Sequence, residues 1–169
     1  MKKNDLHNTK KTITLTKSGD HQVEITESGV YLIELQQPES TVTVHGVFEA
    51  TGSQKINIEV ILHHQAPHTR ADTTLKGVAR DKAAISFKGK IVIDQNCPDT
   101  QSFLTERILL LSDEAQAEAV PDLEILSDDV SCSHAASISH IPESQLFYMM
   151  SRGLKQAEAE ELIVEGFLR

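Results

Sequence analysis

Cys132 and His134 are a thiol and an imidazole separated by one residue, inside the stretch Asp128-Asp129-Val130-Ser131-Cys132-Ser133-His134-Ala135-Ala136-Ser137. In an extended chain, residues i and i+2 point to the same side. The two side chains therefore share a face, with Val130 in line behind them. Thiolate and imidazole suit zinc, copper(I) and iron-sulfur chemistry. Two donors alone do not hold a metal. The pair reads either as half of a site or as a small buried thiol beside a hydrogen-bonded core histidine.

A second group of ligand-type residues is Leu62-His63-His64-Gln65-Ala66-Pro67-His68. Histidines with three or four residues between them on a β scaffold could form part of a metal site of the cupin kind, to which His134 could add a further imidazole. The same residues also fit a polar loop that ends a strand ahead of Pro67. Nucleophilic catalysis has little support. Cys132 and His134 lack the sequence separation of the usual cysteine–histidine pair, although folding could bring His63 or His68 near Cys97 or Cys132. No G-x-S-x-G elbow, phosphate-binding G-x-x-x-x-G-K-[ST] loop or G-x-G-x-x-G turn occurs. If ATP matters, another subunit brings it.

The composition narrows the classes further. A chain of 169 residues fits one domain with a small helical addition. A formal net charge of −9 argues against general nucleic-acid binding, which needs a basic face. Lys2, Lys3, Lys10, Lys11 and Lys17 crowd the start, and residues 1–10 are expected to be a flexible basic N-terminus. No apolar run follows those lysines as in a secretory signal, and none has the length of a membrane span. Two cysteines are too few for a disulfide scaffold, so a cytoplasmic protein with reduced thiols is expected.

The elements that must position these residues are mostly strands. Thr12–Thr16, Gln22–Thr26, Val30–Leu35, Thr41–Phe48, Lys55–Leu62, Thr73–Ala79 and Ala84–Ile93 alternate apolar and polar residues, with Gly, Pro or Ser turns between them. Strands recurring about every ten residues predict a sandwich, a barrel or a β-solenoid, and periodicity does not choose among them. Arg107–Ser112 is a continuous apolar run that predicts a strand buried on both sides. Ala115–Ala119 reads as an acidic loop or helical turn, and alternation resumes over Pro121–Ile125. After Pro142 the period changes. Leu146, Met149 and Met150 recur at helical spacing, with Arg152-Gly153 as a stop. A second helix is predicted from about Lys155 to Glu165, with Ala159, Leu162 and Ile163 on one face and Gly166 ending it.

Several ordered blocks carry a resemblance. Arg107-Ile108-Leu109-Leu110-Leu111-Ser112-Asp113-Glu114-Ala115, then Pro121-Asp122-Leu123-Glu124-Ile125, then the Cys132–His134 stretch, then Gln145-Leu146-Phe147-Tyr148-Met149-Met150-Ser151-Arg152-Gly153-Leu154 resemble successive blocks of the SufB/SufD family. Its members are the non-ATPase subunits of the SUF iron-sulfur cluster assembly machine. The match is strong over about residues 103–169 and weaker back to His63, through Phe87-Lys88-Gly89-Lys90-Ile91. Cys-Ser-His at 132–134 is SufD-like. Ala135 stands where the family usually has Gly, and Ser137 where it has Thr.

The resemblance implies a mainly β protein. Residues 11–139 would form a right-handed parallel β-helix (a β-solenoid), and residues 140–169 a small α-helical hairpin that docks a SufC-type ATPase through Leu146, Phe147, Tyr148, Arg152, Gly153 and Phe167. It further implies an assembly subunit rather than an enzyme, acting in the cytoplasm with a SufB-like partner or as a homodimer, away from nucleic acid and membrane. No permanently bound cofactor is expected. His134, with Cys132, would sit at the cluster-assembly interface and meet iron or a cluster in passing. The cysteine that carries the nascent cluster in SufB would fall near Glu106, so that role is not expected of this chain. The residues alone leave two other readings open: a small cupin-like metal protein using His63, His64 or His68, and a self-associating structural β-helix.

Overall fold

Alternation along each strand sends one set of side chains inward and the next outward, and stacking such strands in parallel builds the body of the protein. The computed structural model describes residues 10–169. The flexible N-terminus expected over residues 1–10 thus lies, except for Lys10, outside the described residues. Ten strands follow in order: β1 (Lys10–Leu15), β2 (Gly19–Ile25), β3 (Gly29–Leu35), β4 (Ser40–Ala50), β5 (Lys55–His64), β6 (Arg70–Ala79), β7 (Ala84–Ile93), β8 (Thr100–Leu110), β9 (Gln116–Ile125) and β10 (Val130–His140). Two helices close the chain, α1 (Glu143–Ser151) and α2 (Gln156–Leu168).

The odd strands form one five-stranded sheet, β1-β3-β5-β7-β9, and the even strands form the other, β2-β4-β6-β8-β10. Every pairing is parallel. Sequence neighbours therefore never pair; each strand stacks on the one two places away, and the chain winds as a parallel β-solenoid. This excludes the cupin reading, since a cupin is a jelly roll of antiparallel strands. The acidic loop expected over Ala115–Ala119 is also corrected. From Gln116 the chain is strand β9, because the register on β7 continues there, with Gln116 beside Ala84 and Ala119 beside Phe87.

The interior is a stack of apolar rows. Ile33, Leu62 and Ile91 form one row through β3, β5 and β7, and all are fully buried. Tight corners keep the rows in step. Asp81, Asn96, Asp99 and Asp129 take positive φ there, a conformation that Asn and Asp tolerate better than most residues.

The helices cover only one patch of the outside. Val78 of β6 and Leu109 of β8 point outward, yet both are buried beneath Val164 of α2, with Phe167 and Leu168 beside them. Arg80 pairs with Glu161 at 2.7 Å, and the Arg107 guanidinium lies 5.2 Å from the Phe167 ring centre. Gly166 does not end α2, which runs on to Leu168. The residues α2 buries are Ala159 and Val164, while Leu162 is exposed. Helix α1 buries none of its residues, and Met150, expected on its packed stripe, is exposed. Gly153 takes φ +96° just beyond α1, a conformation that glycine adopts without strain.

Candidate functional site at the open end of the solenoid

The last coil, β9 and β10, has no strand stacked on it among the described residues. Its inward positions continue the core rows. Leu123 stacks on Ile91, Ile125 on Ile93, and Ile138 on Ile108. The three isoleucines one coil back are fully buried, whereas Leu123, Ile125 and Ile138 are 40–47 % exposed. The core thus runs out at a face that combines exposed apolar side chains with two unpaired strand edges.

Cys132 and His134 lie on β10 at inward positions of this coil, on the shared face that their spacing predicts. Cys132 is half-buried against the core. Burial pushes its thiol pKa up, with a hydrogen bond from the Ser102 backbone acting the other way. It is therefore a neutral thiol at neutral pH rather than a thiolate nucleophile.

His134 reaches deeper. Its side chain is 2 % exposed, and Nε2 stands 3.3 Å from Oε2 of Glu106, a carboxylate on β8 with no exposed surface. Neither the two Glu106 oxygens nor the two His134 nitrogens make a hydrogen bond within the protein. Both side chains pack against the backbone of Gly89 on the facing sheet. A Cβ there would fall 2.6 Å from His134 Cε1, 2.8 Å from Leu104 Cδ1 and 2.9 Å from Glu106 Oε1. Only a residue without a side chain leaves space for the pair. Among the described residues, no three His, Cys, Asp or Glu side chains are grouped so as to hold a metal ion.

The three histidines of 63–68 do not converge. His63 points outward and pairs with Asp94 at 2.9 Å, and His68 sits on a corner at φ +56° with Asp99 at 3.0 Å. His64 points inward and is fully buried. Its Nδ1 lies 2.8 Å from Thr69 Oγ1 and its Nε2 3.0 Å from Ser102 Oγ. The Thr69 hydroxyl donates to the Ala66 carbonyl at 3.1 Å, so it accepts from His64 Nδ1–H. The Ser102 hydroxyl is then left to donate to Nε2. Burial, with a smaller contribution from the charge of His63, lowers the His64 pKa to about 4, and the ring is neutral at pH 7. Cys97 is buried beside it, its Sγ 3.8 Å from the His64 carbonyl oxygen, and burial raises that thiol's pKa as well.

Glu106 is a neighbour of His134 that sequence reasoning missed. The signal was present, because Leu104, Glu106 and Ile108 alternate onto one face, and a carboxylate in an inward row is anomalous. On the helical side, Phe147 and Tyr148 are 75 % and 59 % exposed and Leu146 is half-buried. Arg152 lies 5.3 Å from the Tyr148 ring centre, with its Nη2 donating to the Tyr148 hydroxyl at 3.3 Å.

Comparison with known proteins gives the same family for most of the chain. Residues 19–167 match the model described as the SufBD core domain of SUF system FeS cluster assembly. The iron-sulfur cluster assembly protein SufD of Escherichia coli K12 is 29 % identical over 134 residues, 79 % of this chain and 32 % of that protein. An iron-sulfur cluster assembly SufBD family protein of Staphylococcus saprophyticus is 32 % identical over 105 residues, 62 % of this chain and 23 % of the relative. One from Staphylococcus aureus strain USA300 is 31 % identical over the same length. The chain thus spans less than a third of the length of these relatives.

Proposed function

The chain belongs to the SufBD core family, and from that premise we propose that it is a SufD-like assembly subunit of iron-sulfur cluster biogenesis, acting by protein contact rather than by turnover. The observation that carries this reading is the family match from residue 19 to 167, which takes in the open solenoid end and both helices. Two surfaces have distinct tasks in it. The uncapped face of β9 and β10 receives a SufB-like subunit, or a second copy of this chain, and brings Cys132 and His134 to that junction. The helical hairpin presents Phe147, Tyr148 and the neighbouring Arg152, Leu146 and Phe167 to a SufC-type ATPase, with Gly153 setting the turn between α1 and α2.

ATP hydrolysis belongs to that partner. Iron, sulfide or a nascent cluster is cargo rather than a resident cofactor, held in passing by His134 with Cys132 nearby. The work takes place in the cytoplasm, and neither nucleic acid nor membrane is a partner. The acidic balance of the chain supports the first exclusion. Among the described residues, no helix is long and apolar enough to cross a membrane.

The test is a pull-down of a SufC-type ATPase from the same source. The unsubstituted chain is expected to retain it, and a Phe147→Ala, Tyr148→Ala variant to lose most of it. Failure of the unsubstituted chain to bind under any nucleotide condition would overturn the reading. A self-associating structural solenoid is the second reading, and the exposed inward residues Leu123, Ile125 and Ile138 are what favour it.

A further inference from the structure

Arg107 of β8 stands directly beside Lys76 of β6 in the strand register, and both lie at outward positions. Like charges side by side on adjacent strands repel. Elsewhere on the outside such charges are answered, Lys90 by Asp122 and Glu124 at 3.4 and 2.9 Å and Arg70 by Asp72 at 2.8 Å. Among the described residues, no carboxylate oxygen comes within 4.0 Å of the Lys76 ammonium or the Arg107 guanidinium. The Phe167 ring, 5.2 Å away, holds the guanidinium in place and leaves its N–H donors free. The two cations line a groove of about 540 Å³ between the outer face of the even-stranded sheet and the end of α2. Thr74 and Thr105, one outward position back on the same two strands, also line it, and no Asp or Glu side chain does. Two cations and two hydroxyls thus mark the corners of a patch about 4.8 Å by about 6.6 Å. Arg169 closes one side but is already paired with Glu165. Val47, beside Lys76 in register and 51 % exposed, forms an apolar wall with Leu168.

We propose that this groove binds a small phosphorylated molecule. Its phosphate group takes paired hydrogen bonds from Arg107, the charge of Lys76, and hydroxyl donation from Thr74 and Thr105. Its body rests on Val47 and Leu168. A groove of this volume fits a small organic ligand rather than a bare ion, which favours a phosphate ester over free phosphate. The chain as a whole carries a net charge of −9, so the attraction is confined to this patch rather than spread over the surface. The groove is separate from the open end of the solenoid, and a bound ester ties the last turn of α2 to β6 and β8.

The experiment is isothermal titration calorimetry of the whole chain at low ionic strength, with phenyl phosphate and inorganic phosphate as probes. Phenyl phosphate is expected to bind saturably at one site, and more tightly than inorganic phosphate. Lys76→Met and Arg107→Lys should each weaken it about tenfold, the second because an ammonium lacks the paired donors of a guanidinium. Lys88→Met, which removes an exposed cation from the other sheet, should leave it unchanged. Absence of saturable binding, equal affinity for the two probes, unchanged affinity in Lys76→Met, or an equal loss in Lys88→Met would overturn the proposal. Two-dimensional NMR of the unsubstituted chain gives a reading that does not depend on how the variants fold. Amide shifts confined to residues 74–76 and 105–107 on adding phenyl phosphate support the site, and shifts spread over both sheets refute it. If Lys76 and Arg107 serve only to face the last carbonyls of α2, Lys76→Met lowers stability while the unsubstituted chain binds neither probe, and that result refutes it too.

Discussion

Acidification from pH 7 to pH 4 should cost the protein stability through one residue, His64. In the folded chain burial holds this imidazole neutral until about pH 4, against an ordinary value of 6.5. Below pH 6.5 the unfolded chain takes up a proton that the folded chain refuses, so the folded state loses ground as the pH falls through that window. The separation is about 2.5 pH units, and each is worth about 1.4 kcal/mol, so the loss approaches about 3 kcal/mol by pH 4. The structural cause is explicit. A second ring proton on Nε2 would face the Ser102 hydroxyl, which now donates to it at 3.0 Å, in a site with no solvent to relieve the charge. The assay is urea denaturation followed by circular dichroism at pH 7, 6, 5 and 4, on the wild type and on His64→Gln. Other groups titrate in the same range and affect both proteins, so the difference between the two pH slopes is the quantity to read. The wild type should lose about 3 kcal/mol more than the variant between pH 7 and pH 4. Parallel curves would refute the assignment of His64 as a buried neutral histidine.

Other substitutions probe separate parts of the fold. Gly89→Ala forces a methyl to within 2.6 Å of His134 Cε1, and a loss of about 1–3 kcal/mol is expected from the same denaturation assay. Val164→Ala removes the side chain that α2 buries against Val78 and Leu109, and should cost about 1–3 kcal/mol. If α2 melts separately from the solenoid, hydrogen exchange will show that loss confined to residues 156–168. Leu123→Asp and Ile138→Asp fall on exposed positions of the last coil. They should leave the melting temperature nearly unchanged while reducing association with a SufB-like subunit or a second copy, read by light scattering.

The strands were legible in the sequence because a solenoid coil keeps strict two-residue alternation and places a turn about every ten residues. Ile13 and Leu15, or Val42 and Val44, declare the inward face without help from the rest of the chain. Which strand pairs with which was not legible from alternation, since hairpins and parallel stacking leave the same local pattern; the resemblance over residues 103–169 supplied that choice. Residues 115–119 were misread because Glu118 and the alanines around it carry little strand propensity, and their strand state comes from the register on β7. Gly166 was misread as a stop for a similar reason, since tertiary packing of Phe167 and Leu168 beside Val164 carries the helix past it. The shared face of Cys132 and His134 followed from spacing. The partner that distinguishes His134 did not, because Glu106 lies 28 positions earlier and meets it only through the stacking of β10 on β8.

The central claim is that this chain works as a SufD-like subunit through two contact surfaces. Light scattering coupled to size exclusion, on the chain mixed with a SufC-type ATPase and a SufB-like subunit from the same source, tests it most directly. The expected result is a species whose mass equals all three components together. Ile138→Asp should remove the SufB-like subunit from it, and the Phe147→Ala, Tyr148→Ala pair should remove the ATPase. Elution of the chain at its own mass, with neither partner retained, would contradict the claim.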